Sequence, residues 1–330
     1  MRVPPIVADR LKGARVLVLD SARNSYVDAP DIEAEVLGPE VEVILAQVNS
    51  VDALPAAALA CDGVISWHLV PLPAEALSRL GRCRAIVRAA VGVDNIDLTA
   101  ARLQGIAVAN VPDYGTDEVA DHTLAMALAL IRRLPRADAI VRGGSWDWRE
   151  VGHVPRLRGL TIGLVGLGRI GAAVALRFKA FGCRVLFHDP ARDSGWEKSL
   201  GIERRESLQV LLQECDLVSL HAPLTPRTQH LVGEAELRWL QGKYLVNTAR
   251  GGLIDPAALC EAVDAHRLAG VALDVYADEQ HPPPVVLTAP EVLWSPHAAF
   301  YSQQALPELR HKAAACLKSL LVSGQHRNLL

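Results

Sequence analysis

The sequence predicts an α/β protein with two doubly wound parallel-sheet domains, one flavodoxin-like and one of Rossmann type. Short apolar runs alternate with helix-length segments along all 330 residues, and this alternation is typical of parallel sheets covered by helices. The length favours two domains over one. Each apolar run ends where a polar or glycine-rich loop begins, which is where such sheets bind ligands.

The apolar runs form two series of predicted strands. The first series lies at 15–20, 41–45, 63–67, 84–88 and 106–110, and the second at 160–165, 184–187, 217–220, 244–247 and 270–274. Between the series, Thr116-Asp-Glu is expected to cap a helix that runs to Arg133. We expect a loop or an extended arm at 142–148, and no helix at the consecutive prolines of 281–284.

Composition excludes several classes of function. Half of the residues are apolar, and 34 Lys and Arg against 37 Asp and Glu give a net charge of −3 without a run of like charge. We therefore expect neither a nucleic-acid nor a membrane partner. The N-terminus lacks the apolar stretch of a signal peptide. Six cysteines without a Cys-x-x-Cys pair indicate reduced thiols in a cytoplasmic protein, and no cluster has metal-ligand spacing.

The strongest single motif is Gly166-Leu-Gly168-Arg169-Ile170-Gly171, which follows a predicted strand and opens a predicted helix. Gly166 permits a tight turn, Gly168 lets the backbone approach a pyrophosphate, and Gly171 lets the helix pack on the strand. Phe181 is expected on the buried face of that helix, which Gly182 closes. The alternative is a glycine turn that binds no nucleotide.

An acidic residue in the right place strengthens the nucleotide interpretation. Asp189 ends the next predicted strand, 23 positions after Gly166. A carboxylate there accepts hydrogen bonds from ribose hydroxyls and repels a 2′-phosphate, so the expected cofactor is NAD rather than NADP. Arg192 nearby argues in the opposite direction.

Three later segments resemble the D-isomer-specific 2-hydroxyacid dehydrogenases. They are 245–255, 272–279 and 295–299, and the similarity extends to 91–97 and 110–112. Details at 179–182, 185–190 and 297–302 are most similar to the C-terminal-binding-protein branch of that family. The resemblance covers nearly the whole chain.

The resemblance implies that Arg250 binds substrate, His297 is the acid/base and Glu279 is its partner. Arginine's planar fork suits the carboxylate of a 2-oxo acid. Histidine titrates near neutral pH, and a hydrogen-bonded carboxylate favours its protonated form and fixes its orientation. Taken singly, each residue has an alternative as a surface ion pair, a solvated side chain or a loop residue. Gln280 replaces the proline that the family commonly has there, so Asp278 stays the alternative to Glu279.

The resemblance also implies supporting positions. Val91, Gly92 and His68 are expected near the substrate, the first two through backbone N–H groups. The expected cofactor contacts outside the glycine turn and Asp189 are Thr116, His221, Ala222, Pro223, Thr248, Ala249 and Asp274. Each has an alternative in turn chemistry or helix capping. Trp67, Leu69, Phe300 and Tyr301 are further candidates for the substrate pocket, although aromatic residues lie more often in the core.

We therefore expect an NAD-dependent oxidoreductase that interconverts a 2-oxo acid and a D-2-hydroxy acid. Residues 1–110 and 300–330 would form the substrate domain, 111–299 the dinucleotide-binding domain, with a cleft between them. The resemblance implies a homodimer that uses the helix near Thr116 and the arm around Trp146. The alternative is an NAD(H)-sensing, corepressor-like interaction protein. The chain ends soon after its last predicted helix, without a long polar tail, which favours the enzyme. No second anion-binding residue is obvious, so a substrate with a neutral side chain is expected.

Overall fold

The computed structural model describes residues 11–330; the N-terminal segment, expected to lack a signal peptide, lies outside them. The chain divides into two compact units, which are described separately below. Of the described residues, unit 1 comprises 11–115 together with Ser302–Leu330, and unit 2 comprises Thr116–Tyr301. The chain passes from unit 1 to unit 2 after residue 115 and returns after residue 301, slightly later than the expected boundaries at 110 and 299.

Unit 1 is a five-stranded parallel sheet with helices. Its strands are β1 (Arg15–Asp20), β2 (Glu42–Gln47), β3 (Gly63–Ser66), β4 (Ala85–Arg88) and β5 (Ala107–Asn110). Its helices are α1 (Asp31–Leu37), α2 (Ala56–Leu59), α3 (Ala74–Ser78), α4 (Leu98–Leu103) and the C-terminal α13 (Ala305–Ser323). The strand order β2-β1-β3-β4-β5 is that of the flavodoxin-like fold, as the sequence predicts.

Helix α13 brings the end of the chain back onto the sheet of unit 1. A Cβ on Gly63 of β3 would lie 3.0 Å from the Leu317 side chain, so the helix packs closely against the strand. Arg310 of α13 donates to both carboxylate oxygens of Glu33, at 2.9 and 2.6 Å, and to Asp31 at 2.7 Å. Glu33 is fully buried, so this ion pair fixes α13 to α1.

Unit 2 is a seven-stranded parallel sheet. Its strands are β6 (Thr161–Val165), β7 (Arg184–His188), β8 (Glu203–Arg204), β9 (Leu217–Leu220), β10 (Tyr244–Asn247), β11 (Gly270–Leu273) and β12 (Val292–Trp294). Its helices are α5 (Thr116–Ile131), α6 (Leu134–Arg142), α7 (Arg169–Ala180), α8 (Trp196–Leu200), α9 (Leu208–Glu214), α10 (Glu234–Trp239), α11 (Pro256–Asp264) and α12 (Pro284–Leu287). The order β12-β11-β10-β9-β6-β7-β8 is the Rossmann order with one added strand.

The elements differ from the sequence prediction in five places. Strands β8 and β12 were not predicted, because two and three residues are too few to show a periodic pattern. The first long helix ends at Ile131, and Arg133 has a left-handed φ of 52°. One helical turn does begin at Pro284, since proline is tolerated at the first position of a helix. Phe181 follows the end of α7 and is 44% exposed instead of buried.

Within residues 11–330, no helix is long and apolar enough to cross a membrane. In the same range, no group of three or more His, Cys, Asp or Glu side chains is arranged to hold a metal ion. All six cysteines are free thiols, and five of them are buried.

Candidate active site

The glycine turn of unit 2 joins β6 to α7 where the strand order reverses between β6 and β9. Gly166 has a φ of 95°, a conformation that costs glycine little. A Cβ on Gly166 would lie 2.7 Å from the carbonyl carbon of His221, and one on Gly171 would lie 2.4 Å from the Gly166 oxygen. The backbone packing of the turn therefore requires glycine at both positions.

Gly168 has a different environment, because a Cβ added there would meet nothing within 4 Å. It immediately precedes Arg169 and Ile170, the first residues of α7. A helix N-terminus offers N–H groups without intrahelical partners and the positive end of the helix dipole, and both favour phosphate. The open space beside Gly168 fits a dinucleotide pyrophosphate, held by the backbone of residues 168–170.

The carboxylate of Asp189 lies beside this turn, at the end of β7. Its Oδ2 accepts from the Leu167 amide at 2.8 Å and its Oδ1 from the Ala191 amide at 2.9 Å. Arg192 donates through Nε to the Leu167 carbonyl at 2.6 Å, and its guanidinium lies 4.9 Å from the centre of the Trp196 ring. Asp189 and Arg192 therefore flank the same residue of the turn.

His221, after β9, supports the turn from behind. Its amide donates to the Val165 carbonyl at 2.7 Å, and its Nε2 lies 2.9 Å from the hydroxyl of buried Ser219. Burial lowers the pKa of His221 to about 4, because removal from water disfavours the charged ring. At neutral pH this histidine is uncharged, so it is not an acid/base candidate. Ala222 and Pro223 continue the chain past Gly166.

Arg250 follows β10 in a turn closed by Asn247. The fully buried Asn247 side chain donates to the Arg250 carbonyl at 2.9 Å and accepts from the Ala249 amide at 3.0 Å. The guanidinium of Arg250 donates through Nη1 to the Ala249 carbonyl at 2.7 Å. The turn thus fixes the backbone that carries Arg250.

The next residue, Gly251, brings two loops into direct backbone contact. A Cβ on Gly251 would lie 1.9 Å from the carbonyl carbon of Tyr276 and 2.4 Å from the Ala277 nitrogen. No side chain fits in that space, so residue 251 must be glycine if the loop of Arg250 is to pack on the loop that leads to Glu279.

Glu279 is the partner of His297 in this structure. His297 Nδ1 lies 2.9 Å from Glu279 Oε1. Asp278, the alternative, instead lies 3.2 Å from His281 Nδ1 and accepts from the amides of Gln280 and His281. Gln280 in place of proline therefore does not keep Glu279 away from the histidine.

Asp274 holds the backbone around His297. His297 has a left-handed φ of 53°, which costs a non-glycine residue energy and needs surrounding contacts to persist. The Asp274 carbonyl accepts from the His297 amide at 2.8 Å, and its buried carboxylate accepts from the amides of Ala298 and Ala299 at 2.8 and 3.1 Å. Sequence reasoning expected Asp274 near the cofactor; these contacts give it a role in shaping the histidine loop.

Three neighbouring strands bring these groups to one edge of the sheet. Arg250 follows β10, Asp274 and Glu279 follow β11, and His297 follows β12, in the spatial order β12-β11-β10. Because parallel strands place their carboxyl ends at the same edge, segments far apart in sequence converge there. The edge combines a fixed cation with a histidine–carboxylate pair, which suits binding of an anion and transfer of a proton.

The expected substrate-binding residues of unit 1 lie at the carboxyl edge of its own sheet. Val91 and Gly92 follow β4, and the Val91 carbonyl accepts from the Asn110 side chain at 2.6 Å. His68 follows β3, with Nε2 3.4 Å from the Tyr26 hydroxyl. Trp67 is 1% exposed and stacks on Tyr26 with ring centres 4.8 Å apart, so it belongs to the core.

Comparison with known proteins agrees with this arrangement. Residues 124–299 match the family model described as D-isomer specific 2-hydroxyacid dehydrogenase, NAD binding domain. A glyoxylate reductase from Korarchaeum cryptofilum is 40% identical over 259 residues, which is 77% of this chain and 78% of that protein. The chain belongs to the D-isomer-specific 2-hydroxyacid dehydrogenase family.

Solved structures of other proteins extend the likeness to both units of this dehydrogenase. The Aquifex aeolicus D-lactate dehydrogenase, in complex with NAD and lactic acid, has a TM-score of 0.84 and 30% identity, over 96% of this chain and 98% of that one. The Sinorhizobium meliloti NADPH-dependent glyoxylate/hydroxypyruvate reductase, in complex with NADP and malonate, has a TM-score of 0.84 and 28% identity, over 96% of both chains. The protein is thus an NAD(P)-dependent 2-hydroxyacid dehydrogenase.

Sequence reasoning missed four polar residues of the dehydrogenase site: Asn247, His122, Thr123 and Ser295. His122 Nε2 lies 2.9 Å from Ser295 Oγ, and Thr123 Oγ1 lies 2.7 Å from Thr248 Oγ1. Thr116, expected at the cofactor, is the first residue of the same helix, α5. The available signal was a His-Thr pair at the start of an otherwise apolar helical run, 122–131.

Proposed function

We propose that this dehydrogenase uses NAD(H) to reduce glyoxylate or another small 2-oxo acid with a neutral side chain, through Arg250, Glu279 and His297. The observation that supports this most is the 2.9 Å pair between His297 Nδ1 and Glu279 Oε1, at the same sheet edge as Arg250. The naming of the Korarchaeum relative as a glyoxylate reductase supports the choice of substrate.

In the proposed reaction, the nicotinamide cofactor supplies the hydride that reduces the ketone. Arg250 binds the substrate carboxylate and orients the neighbouring ketone. His297 uses Nδ1 for Glu279, so Nε2 is the nitrogen that gives a proton to the developing alkoxide. Glu279, 2.9 Å from Nδ1, keeps the ring oriented for that transfer. Val91 and Gly92 would hold the substrate carboxylate through backbone N–H groups, with His68 beside the substrate side chain.

For the cofactor, we propose NAD over NADP. Asp189 presents a carboxylate at the end of β7, next to the glycine turn, where it would accept from ribose hydroxyls and repel a 2′-phosphate. Arg192 is occupied by the Leu167 carbonyl and the Trp196 ring. Thr116, Thr248 and Ala249 are the further cofactor contacts in this proposal.

We also propose a cytoplasmic homodimer. Apolar side chains are exposed along α6 and the segment after it, with Leu134, Val141, Trp146 and Trp148 at 56%, 46%, 87% and 77% exposure. Exposed apolar surface of this kind marks interaction sites, and a second copy of the chain is the proposed occupant.

The proposal is an enzyme and not a corepressor of the C-terminal-binding-protein branch. The relatives named above are a glyoxylate reductase, a D-lactate dehydrogenase and a glyoxylate/hydroxypyruvate reductase.

A panel of 2-oxo acids tests the substrate and the role of Arg250. We expect NADH oxidation with glyoxylate and with pyruvate-sized acids, and a severe loss of turnover in Arg250→Lys, which keeps the charge but loses the fork. NADH binding should be unchanged. Arg238→Lys is the matched control, because Arg238 is an exposed residue paired with Glu234. Near-normal turnover in Arg250→Lys would show that another cation holds the carboxylate.

Cofactor titrations test Asp189 separately. NADH should bind more tightly than NADPH, and Asp189→Ala should narrow the difference. Equal affinity of the unmodified protein for the two cofactors would reject the assignment, whatever the substrate proves to be.

A further inference from the structure

Two consecutive residues of α5 each contact a different functional loop of unit 2. His122 Nε2 lies 2.9 Å from Ser295 Oγ, two residues before His297. Thr123 Oγ1 lies 2.7 Å from Thr248 Oγ1, two residues before Arg250. We infer that His122 and Thr123 are positioning residues that set the acid/base loop and the arginine loop against one rigid helix. This inference rests on the roles proposed for His297 and Arg250.

His122 acts on the histidine loop at two points. His122 Nε2 lies 2.9 Å from Ser295 Oγ and 3.6 Å from Asp274 Oδ1. In the tautomer with the proton on Nε2, which the nearby carboxylate oxygen favours, the ring donates to Ser295 Oγ and its N–H faces Asp274. Asp274 is 2% exposed and already accepts from two amides of the loop. A buried carboxylate needs such donors, so His122 stabilises the group that shapes the left-handed backbone of His297.

Thr123 acts on the arginine loop through a directed hydrogen bond. Its single hydroxyl proton is donated to the Val119 carbonyl at 2.7 Å. The contact between the threonines must therefore use the proton of Thr248, with Thr123 as acceptor. Both threonines are buried, so loss of the Thr123 hydroxyl leaves the Thr248 hydroxyl without its acceptor and loosens the turn that carries Arg250.

The two contacts have separable consequences. His122 supports the proton donor, which acts in the chemical step, and Thr123 supports the proposed carboxylate binder, which acts from binding onward. A displacement of about 1 Å in a catalytic group costs on the order of 100-fold in rate. A variant that loosens the His297 loop should therefore change mainly kcat, and a variant that loosens the Arg250 loop should change mainly KM.

The experiment compares a disruptive and a conservative variant at each position. His122→Leu should lower kcat about tenfold or more with a small change in KM for the 2-oxo acid, and His122→Gln, whose amide replaces the Nε2 donor, should recover most of kcat. Thr123→Val should mainly raise KM, and Thr123→Ser should restore it. NADH affinity should be unchanged in both His122 variants.

Two control variants remove a histidine ring and a threonine hydroxyl at positions outside the site. His266→Leu removes an exposed histidine bound to Glu291, and Thr288→Val removes a hydroxyl that donates to the carbonyl four residues earlier, as Thr123 does. Both should keep the parent kinetics. The positioning roles are wrong if His122→Leu and Thr123→Val each change kcat and KM by the same factor. They are also wrong if His122→Gln does not restore kcat or Thr123→Ser does not restore KM. Full activity of His297→Ala or Arg250→Lys would overturn the proposed function itself, and the inference with it.

Discussion

His221 and His297 both follow strands of unit 2, but their side chains have different surroundings and therefore different roles. His221 is enclosed behind the glycine turn, where burial lowers its pKa to about 4 and keeps it neutral. The His297 side chain is 26% exposed, and its Nδ1 lies 2.9 Å from Glu279 Oε1. Of these two histidines, His297 is therefore the proposed proton donor.

The first prediction concerns the charge on His297. Reduction needs the protonated ring, so its rate should fall as pH rises, and oxidation of the hydroxy acid should show the opposite trend. Glu279→Gln removes the carboxylate that His297 Nδ1 contacts and that orients the ring, so turnover should fall in both directions. His297→Ala should lose about 10²–10⁴-fold in turnover and still bind NADH. Parent-like turnover in Glu279→Gln would show that Glu279 does not act on the ring.

The second prediction concerns His221 and folding. Its folded-state pKa lies below the unfolded value of 6.5, so the unfolded chain binds the proton more readily. Stability should therefore be lost as pH falls below 6.5 and until it reaches about 4. Between pH 7 and pH 5 this amounts to about 2 kcal/mol. Urea unfolding of the parent and of His221→Gln at pH 7 and pH 5 measures this difference in the free energy of unfolding. An equal loss of stability in both proteins would contradict the lowered pKa of His221.

At the scale of elements, function depends on how closely the loops after β10, β11 and β12 pack. The third prediction tests the contact at Gly251, where an added Cβ would lie 1.9 Å from Tyr276. Gly251→Ala must push the two loops apart, so kcat/KM should fall by about 100-fold. Gly81→Ala is the matched control, because a Cβ there meets nothing within 4 Å. Parent-like kinetics in Gly251→Ala would mean that this spacing is not critical.

The fourth prediction concerns the ion pair between α13 and α1. Arg310→Ala leaves the fully buried Glu33 carboxylate without its main partner, which should cost about 3–5 kcal/mol of stability. The double variant Arg310→Met with Glu33→Leu removes both charges and should recover most of that loss. Denaturant unfolding of the parent, Arg310→Ala and the double variant measures this, and a double variant no more stable than Arg310→Ala would show that the buried charge is not the cause of the loss.

The strand ends were predictable from sequence because an apolar run followed by a polar loop is a local signal. The resemblance to the family indicated Arg250, and Asp189 was expected from its spacing after Gly166. The support of the site was not predictable. His122 and Ser295 are 173 residues apart, and only the tertiary fold brings them together. The sequence shows that residue 251 is glycine, but the close approach of its backbone to Tyr276 depends on the packing of two loops.

At the scale of the whole molecule, the fifth prediction concerns assembly. Trp146→Ser with Trp148→Ser removes the largest exposed apolar side chains beyond α6, so the proposed homodimer should dissociate at concentrations where the parent stays associated. Sedimentation velocity over a concentration series measures this. Trp196→Ser is the control, an exposed tryptophan on α8. A parent that is monomeric throughout would reject the dimer, and an unchanged double variant would reject this surface.

The discontinuity of unit 1 also has a consequence for biosynthesis. Unit 2 is one continuous segment inserted between β5 and α13. During translation it can close its seven-stranded sheet as soon as it leaves the ribosome, since domains generally fold as units. The five strands of unit 1 emerge before unit 2 and yet wait for α13, which is made after unit 2 and covers apolar surface of β3. Unit 1 should therefore complete its fold after unit 2, and the apolar surface that α13 covers stays exposed until then.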